Sequence, residues 1–172
     1  MEMINCLDSD ALIDQDGRKE IIKKIAGIDE EIYIDVLTGA YNRKYYEENI
    51  KMTTRVSGIA MLDLDDFKLY NDTFGHMAGD VALKTVVSVI KKEIRKTDLI
   101  IRYGGDEFLI VMPGIEENTF VKKIKHIRET IDNTKVPGYP KLKLSVSIGG
   151  VISGGQPIEK AVEKADKLMY KA

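Results

Sequence analysis

Two groups of acids in this chain have the residue types and spacing for metal chemistry. The first is LDLDDFK, where Asp63, Asp65 and Asp66 end the apolar run VSGIAMLDL. The second is RYGGDEF, where Asp106 and Glu107 follow Gly104 and Gly105 between the apolar runs LII and LIVM. Glycines suit a tight turn between strands because they tolerate φ > 0. Adjacent acids do nothing for a turn and repel one another. Side chains alternate along a strand, so Asp63 and Asp65 point one way and Asp66 the other. If that strand neighbours the hairpin in one sheet, Asp63 and Asp106 converge. Carboxylates within ~4 Å repel unless one protonates or a cation sits between them. Hard oxygen ligands suit Mg²⁺, which takes one or two carboxylates plus phosphate oxygens. Two such ions ~3.5–4 Å apart hold the attacking and leaving oxygens in phosphoryl transfer. The plainer reading of either group alone is a solvated turn.

An anion partner is weakly signalled. FKLYNDTFGHMAGD contains Gly75 and Gly79 and leads, through the loop NDTFGHMAGD, into a helix, so backbone N–H groups near it could cradle phosphate. Lys68 would add a point charge. The competing reading is a loop that only needs turning freedom, with His76 merely packed or solvated. Asn71 and Asp80 each offer paired hydrogen-bonding atoms, although Asp80 alone reads as a helix cap.

The elements that must position these residues follow from periodicity. DVLTGAYNR reads as a turn, with Asn42 capping a helix through KYYEENIKM. Val56–Leu64 is a buried strand. A helix near Val81–Lys96 places Leu83, Val86, Val87, Ile90 and Ile94 on one face. Leu99–Tyr103 and Phe108–Met112 form two strands around the glycines, closed by Pro113–Gly114. A second helix spans Asn118–Asp132, with Phe120, Val121, Ile124, Ile127 and Ile131 buried. KLKLSVSIGG alternates Leu142, Leu144, Val146 and Ile148 at period 2. The last helix carries Ile158, Ala161, Val162, Ala165, Leu168 and Met169. The order β-α-β-β-α-β-α predicts an α+β fold of ferredoxin-like type, a sheet with helices packed on it.

The 172 residues fit one domain with a sizeable core, and residues 1–30 read as a connector helix or tail ahead of a 31–172 domain. A net charge of −2 supplies no basic field for nucleic acid, and the chain has no Trp. Cys6 is the only cysteine, which suits a reducing cytoplasm. No run approaches the ~20 apolar residues of a membrane span. An anchor elsewhere in a parent protein is compatible with that.

Taken together, RYGGDEF, DVLTGAYNR, DLDDFKLYNDTFGHMAGD and SVSIGG resemble the GGDEF family of diguanylate cyclases, in order and at the right separations. The resemblance runs from about Asp35 to the C-terminus. It implies a palm-type fold like that of nucleotide cyclases, and an enzyme that condenses two GTP into cyclic di-GMP with release of pyrophosphate. It implies a homodimer, with one GTP on each domain, and Mg²⁺, or Mn²⁺ in its place, at two ions per site. By matching position, Asp63, the carbonyl of Leu64 and Asp106 would ligate metal. Glu107 would help deprotonate the 3′-hydroxyl or support the second ion, and the Gly104–Gly105 turn would admit the nucleotide. Asn71 and Asp80 would read guanine, while Phe67 and Lys68 lie along the phosphates with His76 in the same loop.

RKTD, with Arg95 and Asp98, matches the family's inhibitory product site; a basic helix C-terminus is the plainer reading. The family often adds an arginine from the next helix, and KKIKHIRE offers His126 or Arg128. Members usually continue past ADKLMYKA with a lysine and an arginine on the terminal phosphates. The sequence ends at Ala172, so either it is trimmed or those contacts are missing, and the expectation is GTP binding with weakened turnover. The alternative to the enzyme is a non-catalytic module that binds GTP or cyclic di-GMP and regulates a partner. The retained acids favour the enzyme, governed by an upstream sensor domain.

Overall fold

The computed structural model describes residues 32–171. The connector expected over residues 1–30 lies outside them. From Ile34 onward the chain forms one compact unit.

A short helix comes first: α1, Arg43–Tyr45, continues as a π-helical turn over Tyr46–Ile50. Asn42 caps it as expected, its side chain accepting from the Tyr45 N–H. Then follow β1 (Ser57–Leu64), α2 (Phe67–Phe74), α3 (His76–Glu93), β2 (Leu99–Arg102) and β3 (Glu107–Pro113). The chain ends with α4 (Glu117–Asp132), β4 (Val146–Ile152) and α5 (Ile158–Met169). The strands form one antiparallel sheet in the order β2-β3-β1-β4. This is the expected α+β, nucleotide cyclase-like palm.

The sheet is covered on both faces. Ala60, Leu62, Leu64, Phe108 and Ile110 pack against α3 and α4. Ile59, Met61, Leu109 and Val111 pack against α5 and Tyr46. A strand buried on both faces reads as a continuous apolar run, as VSGIAMLDL does. Gly149 sets how close α5 comes: a Cβ there would strike the Ala165 carbonyl and the Met169 amide. The two glycines of SVSIGG are therefore packing residues.

Several expectations need correction. The loop expected over NDTFGHMAGD is helical, holding the end of α2 and the start of α3 with a break at Gly75, whose φ of 85° is a conformation that favours glycine. Asn, Asp, Thr and Gly are poor helix formers, and their density disguised the helices. α3 accordingly begins at His76, and Asp80 lies inside it rather than at its cap. It ends at Glu93, because Ile94 is extended. Val121, expected on the buried side of its helix, is exposed, and so is Leu168; Phe120, Ile127, Ile131 and Ala161, Ala165, Met169 occupy the buried stripes beside them. The last strand begins only at Val146, with Leu142 and Leu144 buried in the irregular segment before it.

Candidate active site

Register decides which acids meet. Antiparallel pairing of β1 with β3 sets Asp63 opposite Glu107, and pairing with β4 sets Asp63 opposite Ser147. Directly opposed residues share a face with their Cβ atoms ~4.5–5.5 Å apart. Asp106 follows one residue earlier, and its carbonyl accepts the Leu64 N–H at 3.3 Å. The two acidic groups therefore do converge, with Glu107 as Asp63's direct neighbour and Asp106 beside it.

Electrostatics reports the crowding. Burial, and then the charges of Asp106, Glu107 and Asp65, push the Asp63 carboxyl up from its ordinary 3.8 to about 6. Like charges held together this way favour a cation among them. Among the described residues no group of three or more His, Cys, Asp or Glu is arranged to hold a metal on its own. The donor set fits Mg²⁺ nonetheless: a few hard carboxylates, a strand-end carbonyl, and coordination left for phosphate oxygens.

The hairpin is braced from outside. Tyr103 and Gly104 both donate N–H to the Glu107 carbonyl, at 2.9 and 3.2 Å. Glu107's carboxylate occupies the space a Cβ on Gly104 would need, so that glycine makes room for the acid. Arg102 grips the turn through the Gly105 carbonyl, its Nη2 at 2.7 Å and Nε at 3.1 Å. Its Nη1 reaches Asp35 at 3.2 Å, tying the hairpin to the DVLTGAYNR turn. Asp35 also accepts from the Thr38 hydroxyl at 2.6 Å and the Thr38 N–H at 2.9 Å. Burial raises the Asp35 pKa, but the Thr38 bonds and Arg102 together hold it below the usual range. Tyr103 is flanked by the Arg43 guanidinium, 4.5 Å from its ring centroid, and by Tyr46 in an edge-to-face pair with ring centroids 5.2 Å apart. Sequence reasoning missed Arg102 and Asp35; an arginine ahead of two glycines and a Thr three residues after an Asp were the available signals.

The remaining expected residues are spread over α2 and α3. Phe67, Lys68 and Asn71 lie on α2, His76 and Asp80 on α3. Asn71's side chain lies over Gly79, beside Asp80, in space that any larger residue would fill. Helical bonding uses the N–H groups of Gly75 and Gly79 themselves: Gly75 donates to the Asn71 carbonyl and Gly79 to that of Gly75. The start of α2 is the better anion end. Asp66 there is left-handed, with φ 55°, and its side chain makes no capping bond. Lys68, His76 and Asp80 are exposed.

Arg95 and Asp98 lie in the turn after α3. The Arg95 guanidinium meets Asp98 at 2.9 Å, and Arg95 Nη2 donates to the Pro113 carbonyl at 3.1 Å. Asp98's carboxylate is buried and the arginine is half exposed. His126 faces Glu93 at 3.2 Å near this turn, while Arg128 lines a groove with Ile148.

With the paired strands and the acidic hairpin established, comparison with known proteins is decisive. A family model described as "Diguanylate cyclase, GGDEF domain" matches residues 32–172. The chain belongs to this GGDEF family. Diguanylate cyclase DosC of Escherichia coli K12 is 34% identical over 150 residues, which is 81% of this chain and 33% of DosC. The GGDEF chain thus spans about a third of that relative's length. Diguanylate cyclase SiaD of Pseudomonas aeruginosa, solved with its activator SiaC, matches with a TM-score of 0.80 at 27% identity, over 91% of this chain and 64% of SiaD. The GGDEF domain of DgcB from Caulobacter crescentus, solved in complex with c-di-GMP, matches with a TM-score of 0.73 at 27% identity, over 81% and 88% of the two chains. No helix among the described residues is long and apolar enough to cross a membrane.

Proposed function

We propose that this GGDEF domain is a cytoplasmic diguanylate cyclase that joins two GTP molecules into cyclic di-GMP. The observation that carries the reading is the pairing of Asp63 with Glu107, with Asp106 alongside in a glycine turn. Asp63, the Leu64 carbonyl and Asp106 would hold two Mg²⁺ ions, which when bound offset charge on the phosphates and the leaving pyrophosphate. Glu107 takes the proton of the 3′-hydroxyl as that oxygen forms its bond to the α-phosphorus of the other GTP. The bond from that phosphorus to pyrophosphate breaks, and a second such event closes the ring. Asn71 and Asp80 hold guanine through its hydrogen-bonding edge, and Phe67 and Lys68 lie along the phosphates at the start of α2. Because each domain carries one GTP, two domains must face each other, and an upstream sensor would govern that encounter. Arg95 and Asp98 form a product site that lowers the rate, an arginine fork suiting phosphate or a guanine edge.

Incubating the chain with GTP and Mg²⁺ and separating the products by chromatography tests the proposal. Cyclic di-GMP and pyrophosphate are expected. Bound but unchanged GTP would make the domain a regulatory module instead.

A further inference from the structure

We propose that Asp65 is a positioning residue for the acidic site, an inference that rests on the function proposed above. Asp65 lies between Leu64, the last residue of β1, and the left-handed Asp66 from which α2 starts. Both of its carboxylate oxygens are engaged: Ser145 Oγ donates to one at 2.6 Å and Ser147 Oγ to the other at 2.7 Å. Its backbone N–H donates to the Ser145 carbonyl at 3.0 Å. Both lengths are those of well-formed O–H···O hydrogen bonds. Ser147 is also the β4 residue opposite Asp63.

The clamp therefore fastens the end of β1 to β4 on the side away from Glu107 and Asp106. It has two consequences for the site. Asp65 is aimed at the serines, so this further acid does not compete with Asp63 for a cation. The clamp also fixes the direction in which the chain leaves Leu64, and with it the strand-end carbonyl and the first turn of α2. Asp65 acts through its neighbours and touches no reacting atom.

The test compares Asp65→Asn, Asp65→Ala and the double variant Ser145→Ala/Ser147→Ala in the full chain. Asparagine keeps one acceptor and offers an amide that a serine oxygen can accept, so it preserves the bridging without the charge. Asp65→Asn is expected to turn over within about threefold of wild type, because interactions it retains cost nothing in the transition state. Asp65→Ala and the double serine variant should each lose about 100-fold in kcat with little change in KM, the size of effect that ~1 Å misplacement produces. In the metal-free chain, amide hydrogen exchange at Leu64 and Asp65 should speed up in the double serine variant while Ile59 and Met61 stay as they were. An Asp65→Asn variant as slow as Asp65→Ala, beside a fully active serine variant, would overturn the proposal and make Asp65 a ligand. Loss of kcat only in proportion to unfolded protein, followed by thermal melting, would also overturn it. A wild-type chain without turnover would count against the cyclase reading alone. The exchange result would still decide the clamp, and unchanged protection at Leu64 would sink it.

Discussion

Asp63 on β1 and Glu107 on β3 are cross-strand partners, so the two acids at the ends of separate apolar runs stand on one face of the sheet. A sheet does not gain stability from opposed carboxylates; such pairs are destabilising. Under the proposed function, a cation and its phosphate cargo would account for their presence. Asp63→Ala and Glu107→Ala are each expected to lower cyclic product at least about 100-fold, the scale of removing a group that stabilises charge in the transition state. Circular dichroism should show the fold retained, and product formation above a tenth of wild type in either variant would refute the assigned roles.

The crowding also makes a pH prediction. Asp63's folded pKa is raised to about 6, above its ordinary 3.8, so the folded state binds the proton more tightly than the unfolded chain. Metal-free stability should therefore rise as pH falls from about 7 toward 4, the window set by those two values. The gain from this one group is roughly 1–2 kcal/mol once solvent screening of a half-exposed carboxyl is allowed for. Asp63→Asn should remove that pH dependence and raise the metal-free melting temperature near pH 7. Calorimetry across this range checks it, and an unchanged slope in the variant would contradict it. For the same reason Mg²⁺ affinity should strengthen as pH rises through about 6.

Arg102 joins the hairpin carbonyl of Gly105 to the Asp35 carboxylate, and both charged side chains are largely buried. Arg102→Ala should cost about 1–3 kcal/mol of stability by leaving Asp35 and the carbonyl short of donors. Arg102→Lys should recover little, because an ammonium cannot span both partners with a planar fork. Denaturant midpoints for the two variants provide the check, and full recovery by lysine would show that only the charge matters.

Gly149 predicts a packing defect of a different kind. A methyl there meets the backbone of α5, which cannot rotate aside as a side chain can. Gly149→Ala should destabilise by about 1–3 kcal/mol, the usual cost of overpacking a filled core. A melting temperature equal to wild type would mean that α5 shifts freely.

At the turn after α3, Arg95→Ala should abolish product feedback while leaving the uninhibited rate within about twofold, because an arginine fork is the phosphate grip proposed there. Rate against added cyclic di-GMP is the measurement. An inhibition curve identical to wild type would assign Arg95 a purely structural pairing with Asp98.

Much of this was legible in the amino-acid order. Apolar runs buried on both faces announced β1 and β3, heptad-like spacing announced α3 and α4, and glycines between strands announced the hairpin. The acids of the candidate site were visible because charged residues at strand ends have no packing reason to be there. Local sequence failed at NDTFGHMAGD, where weak helix formers are held helical by tertiary packing, and at Val121, where being apolar does not say which way a helix turns. What no local pattern holds is register. That Asp63 meets Glu107 and Ser147, that Asp65 turns to Ser145, and that Arg102 reaches back to Asp35 are facts about residues far apart in the chain. Such contacts are fixed only when strands pair and a one-residue slip would send every side chain to the opposite face.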